Sequence, residues 1–158
     1  MRLSWRKGLS FGATSGVITT LGMMVGLNSS THLQAAVIGG ILVIAVADSL
    51  SDALGIHISE EAEGVHDHKE VWEATIVTFL TKFVIACSFI IPVLLLPLEL
   101  AMIVSIAWGL LLIIILSYLI ARSHKVSSVS TILEHLVIAI IVIIITRYLG
   151  IWIGATFN

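Results

Sequence analysis

LQAAVIGGILVIAVADSLSDALGIHI, residues 33–58, is an apolar run long enough to cross a bilayer, and it carries two aspartates, Asp48 and Asp52. About 20 helical residues span a hydrocarbon core. A carboxylate at that depth costs roughly 2.5–3.5 kcal/mol on insertion scales, so it persists mainly where it faces a polar path or a charged partner. Four residues apart, Asp48 and Asp52 share one face of a helix. Just downstream lies a second cluster: Glu60, Glu61, Glu63, His66, Asp67, His68, Glu70 and Glu73. Together they predict a route for a cation through a membrane protein.

The rest of the chain fits that frame. Of its 158 residues, 58% are hydrophobic and 11% charged, and the mean hydropathy is +1.12. A soluble domain carries about 25% charged residues. The composition therefore predicts an all-α integral membrane protein of one domain, with the lipid bilayer as its partner and no nucleic acid. The lone cysteine, Cys87, lies in an apolar segment, so no disulfide framework is expected. Arg2, Arg6 and Lys7 precede the first apolar stretch, as in a signal peptide. That stretch runs on through glycine-rich sequence to Asn28 without a small-residue cleavage pattern, and reads as a retained first helix.

Five spanning helices are expected at about 9–27, 33–58, 72–96, 98–121 and 131–153. The runs are continuous rather than alternating, which argues against strands. Pro92 and Pro97 bracket the turn between helices three and four. The basic residues Arg2, Arg6, Lys7, Lys69, Arg122 and Lys125 all fall in segments at one end of such a bundle. Loops 28–32 and 92–98 contain no Lys or Arg. The positive-inside rule then places the N-terminus in the cytoplasm and the C-terminus outside or in a lumen.

Helix one carries Gly8, Gly12 and Gly16, then Gly22 and Gly26, at a spacing of four. Small residues at this period let another helix approach closely, within the chain or across a dimer axis. Thr14, Ser15, Thr19 and Thr20 either bond their own helical carbonyls or line a hydrated path. Met23 and Met24 offer soft sulfur to a metal, or simply fill space. Oxygen ligands such as Asp48 and Asp52 suit divalent cations and protons. Lys82, at the expected depth of Asp52, is the candidate for a structural ion pair with it. If helix two continued past Ile58, Glu63, His66 and Glu70 would follow the aspartate face, with His57, Glu61 and His68 on a neighbouring stripe. Mixed His and carboxylate suits Fe²⁺, Zn²⁺ or Mn²⁺, whereas a solvated charged loop would need no ligand.

The run GATSGVITTLGMMVG, residues 12–26, resembles the first-helix signature of the vacuolar iron transporter family, in its Thr-Thr pair and the glycine after it. ADSLSDALG, residues 47–55, resembles that family's second helix. The resemblance implies a homodimer, with Gly12 and Gly16 at its seam, that exports Fe²⁺ or Mn²⁺ from the cytosol by antiport against protons. No permanently bound cofactor is implied, and the home is a cell membrane or an organelle membrane such as the vacuole. The path would be lined by helices one and two, with Asp48 and Asp52 as carriers and Ser15 and Met23 as wall groups. Glu60, Glu61, Glu63, His66, Asp67, His68 and Glu70 would collect metal at the cytoplasmic mouth. The family usually has an aspartate at Ser15 and often a methionine at Asp52, so the carboxylate has moved from helix one to helix two. The metal-binding domain that plant-like members of the family insert between helices two and three is missing, and about a dozen residues join the helices here. Two alternatives stand beside transport. One is a non-transporting, metal-binding protein of the same fold. The other is an intramembrane enzyme, which two aspartates on a single helix do not favour, since their axial spacing of about 6 Å hinders sharing a proton.

Overall fold

The computed structural model describes residues 3–65 and 67–157. It is a bundle of five long helices: α1 (Leu3–Thr31), α2 (Gln34–Glu63), α3 (His68–Leu95), α4 (Leu98–His124) and α5 (Ser128–Phe157). All five are long and apolar enough to cross a membrane, and no strand occurs among the described residues.

Local chemistry sets the ends. His32 (φ 52°) and Gly64 (φ 65°) turn left-handed after α1 and α2, and Lys125 (φ 57°) does so after α4. Asp67 caps α3, its carboxylate accepting from the Glu70 amide at 2.8 Å, which satisfies one of the free donors of the first turn. Pro97 precedes the first residue of α4, where its missing N–H costs nothing. Pro92 is different from expectation: it lies inside the last helical segment of α3, Ile90–Leu95, which follows an interruption at Phe89, so the turn to α4 falls at Leu96 and Pro97.

The centre of the bundle is α1. Its Val17, Leu21 and Met24 are fully buried with Val37 and Ile41 of α2, Phe89 and Val93 of α3, Ile113 of α4 and Ala139 of α5. Glycine makes this possible on two faces. A Cβ at Gly8 would stand 2.6 Å from the Ala74 carbonyl oxygen, and one at Gly12 2.6 Å from that of Thr78, both on α3. Gly16 lies against Lys82 and Ile85 of α3, while Gly22 and Gly26 meet Val142 and Thr146 of α5. The glycines expected at a dimer seam, Gly12 and Gly16, are therefore buried within the chain. By contrast, α5 turns most of its surface outward.

Helix α2 is not uniform. Residues Ile44–Asp48 form a π-helical turn, in which the Ser49 amide reaches back five residues to the Ile44 carbonyl. Such a turn inserts one extra residue and rotates the next stretch of helix about its axis. This one ends on Asp48. The helix also runs further than expected, to Glu63, so Asp48 stands at the middle of its 30 residues.

Candidate cation site

Three helices bring charged and polar groups together at their midpoints. From α3, Lys82 points inward and is fully buried. Its ammonium lies 2.5 Å from Asp48 Oδ2 and 2.5 Å from Asp52 Oδ2. It also donates to Ser15 Oγ of α1 at 3.0 Å, and Ser15 Oγ donates to Asp52 Oδ2 at 2.6 Å. The Asp52–Lys82 ion pair expected from depth is present, and Asp48, which that pairing would have left over, joins it.

The two acids are not equivalent. Asp52 takes hydrogen bonds from both Lys82 and Ser15. Asp48 Oδ2 is close to the ammonium but out of line for a hydrogen bond, and it has no hydrogen-bond partner among the described residues. Asp48 is also the more open, 32% exposed against 20% for Asp52. With Lys82 protonated and both acids ionised, the cluster carries one excess negative charge, and the loosely held acid is Asp48.

Below the cluster, a cleft of about 560 Å³ opens at the end of the bundle where α1 starts and α2 finishes. Phe11 and Ile56 line it, one turn from Ser15 and Asp52 respectively, and so do Glu60 and Glu63. Lys7 of α1 bridges those two, at 2.9 Å from Glu60 and 3.0 Å from Glu63. Sequence reading placed Lys7 among the charges of this end but not as a partner of these acids. Their common end was the available signal.

The remaining expected mouth residues divide. Glu61 lies beside His57, with 3.4 Å between Oε1 and Nε2. Asp67 is committed to capping α3. His68 packs its ring 6.4 Å from that of Trp72. His66 lies outside the described residues. Because Gly64 ends α2, Glu70 belongs to α3 and does not continue the Asp48–Asp52 face, which stops at Glu63. Among the described residues, no three His, Cys, Asp or Glu side chains come together as a metal-holding group. Met23 is not near the acids: it packs on Gly40, about 12 Å outward of Asp48 along α2.

Among the helix-one hydroxyls, Thr19 bonds its own i−4 carbonyl, Ser15 bonds Asp52 instead, and Thr20 Oγ1 is buried with no hydrogen-bond partner among the described residues. A serine–histidine contact that no motif or spacing foreshadowed joins Ser117 of α4 and His135 of α5 at 2.8 Å. Ser117 is 1% exposed, which keeps the hydroxyl from any substrate.

No family model, curated protein or solved structure matches the chain. The likeness to the vacuolar iron transporter family thus rests on the residues of α1 and α2 alone.

Proposed function

We propose that this chain is an integral membrane transporter that exports a divalent metal ion, Fe²⁺ or Mn²⁺, from the cytosol in exchange for protons. The observation that carries the reading is the convergence of two helix-midpoint carboxylates on one buried lysine. A structural ion pair needs one acid, and the second is costly in an apolar surrounding.

The chemistry follows from charge balance. Lys82 acts as a tethered cation in the place a mobile one would occupy. With two protons shared over Lys82 and the two acids, the cluster is neutral. When a divalent ion replaces both protons, Asp48 and Asp52 face the metal with Ser15 Oγ beside them. The site is neutral again, so one metal ion exchanges for two protons. Two carboxylates and a hydroxyl are hard oxygen donors of the kind that suits Mn²⁺ and Fe²⁺, and water completes the shell. The cleft that ends one turn from Ser15 and Asp52 gives access, and Lys7, Glu60 and Glu63 line it.

Proteoliposomes carrying a metal-sensitive dye and a pH dye test this. Wild-type protein is expected to move metal one way and protons the other, and Asp48→Asn is expected to abolish both. Absence of flux from folded wild type, or undiminished flux in Asp48→Asn, removes the proposal.

A second reading has an observation of its own. Lys82 touches both acids and Ser15 at once, a closed arrangement that suits a static clamp between α1, α2 and α3. A clamp tolerates replacement of all its charged members by apolar groups of similar volume. The variant Lys82→Met/Asp48→Leu/Asp52→Leu, if fully functional in the cell, favours the clamp.

A further inference from the structure

A second, smaller opening of about 140 Å³ adjoins the cleft where α1 begins and α4 ends. The two share Arg6, Ser10, Ile120 and Ser123. Glu60 and Glu63 line only the larger one, and Lys7 lies against both of them there. In the smaller one, between α1 and α4, Arg6 is the single charged group of the lining.

Its polar groups are uncommitted. Thr19, Thr75, Thr78 and Thr146 each donate to the carbonyl four residues back in their own helix, the common fate of a helical hydroxyl. The side chains of Ser10 and Ser123 do not, and like that of Arg6 they make no hydrogen bond or ion pair with any described residue. A guanidinium presents a planar fork of donors that matches a phosphate group, and the two hydroxyls add donors beside it.

The walls say what carries the phosphate. Leu9, Leu116 and Leu119 line the same groove. Leu116 lies about two turns, or about 10 Å, further into the bundle than Ser123 along α4. Leu119 is 56% exposed, so the groove opens sideways to the surroundings of the bundle. Donors at the helix ends and leucines below them follow the layers of a lipid, head at the interface and chain in the hydrocarbon. A choline or ethanolamine head would bring a second cation beside Arg6, with no acid in the groove to receive it.

We propose that the α1–α4 groove holds one phospholipid with an anionic headgroup, its phosphate on Arg6, Ser10 and Ser123 and an acyl chain along Leu9, Leu116 and Leu119. Basic pockets between membrane helices take anionic headgroups in this way. The inference goes beyond the transport reading and uses none of Asp48, Asp52 and Lys82.

Native mass spectrometry of the purified full chain in detergent tests it, with phosphatidylglycerol or phosphatidylcholine of the same chains added. One phosphatidylglycerol per chain should be retained at concentrations where phosphatidylcholine is shed. Arg6→Gln should weaken retention about 10-fold, in keeping with a lost charge-assisted hydrogen bond. Arg122→Gln removes the same charge from the same end but outside the groove, where Arg122 donates to the Tyr118 hydroxyl at 3.1 Å, and should leave retention unchanged. Glycerol phosphate, which has the head without the chains, should not compete. Equal retention of the two lipids, equal losses in Arg6→Gln and Arg122→Gln, or displacement by glycerol phosphate overturns the site. Should Arg6→Gln fail to fold, the Ser10→Ala/Ser123→Ala variant carries the test, and wild-type retention by that variant overturns the proposal.

Discussion

Lys82 is the residue on which both aspartates converge, and its loss should be the most damaging in the cluster. Lys82→Met leaves two facing carboxylates without their counter-charge, and removing one partner of a buried pair costs about 3–5 kcal/mol. Since both acids keep some exposure, the lower end is expected. Asp52→Asn disturbs hydrogen bonds to Lys82 and Ser15 and should cost about 1–3 kcal/mol. Asp48→Asn removes an ion pair without a hydrogen bond and should cost least. Unfolding in detergent, monitored by circular dichroism, checks this order, and equal losses for all three would show that Lys82 does not organise the site. Sequence spacing already put both acids on one face and Lys82 at a matching depth. It did not reveal that one ammonium reaches both. That depends on where the side chains land after a change in helical register, which residue spacing alone does not encode. Ser15 was legible as a hydroxyl on α1, yet its bond to Asp52 needed the actual contact between helices.

Helices show the same division. Their number and the polar ends were readable, because continuous apolar runs have a direct physical cause, but the bounds were not: α2 runs on to Glu63 and Pro92 lies within helical structure. The glycine stripes of α1 were visible too, but small residues fit any closely packed neighbour, and only the fold shows that α3 and α5 are those neighbours. The π-turn left no trace, since Ile44, Ala45, Val46 and Ala47 suit an ordinary helix equally well. Two substitutions separate these glycines. Gly12→Ala drives a methyl to 2.6 Å from the Thr78 carbonyl oxygen, forcing α1 from α3, and should cost about 1–3 kcal/mol. Gly39→Ala meets nothing within 4 Å and should stabilise by roughly 0.5–1 kcal/mol through better helix propensity. Melting temperatures of the two variants should move in opposite directions, and a destabilised Gly39→Ala would contradict the open surface around it.

At the level of the complete bundle, Lys7, Glu60 and Glu63 meet, so the start of α1 and the finish of α2 share an end. The basic residues Arg6, Lys69, Arg122 and Lys125 lie toward that end as well. With the proposed cytoplasmic N-terminus, the thiol of His32→Cys should react with an impermeant reagent in intact cells, and that of Lys125→Cys only after permeabilisation, both in a Cys87→Ala background. The reverse pattern would invert the topology. The shared ion cluster also has a consequence for how the chain enters a bilayer. Alone, α2 would carry two uncompensated negative charges into oil, and α3 one positive charge. Neither is a comfortable passenger by itself, at roughly 2.5–3.5 kcal/mol for each charge. Joined as a hairpin, they bring most of their own neutralisation with them. Biogenesis should therefore wait: a nascent chain stopped before Lys82 emerges ought to integrate α2 poorly, and one released after α3 ought to integrate both together.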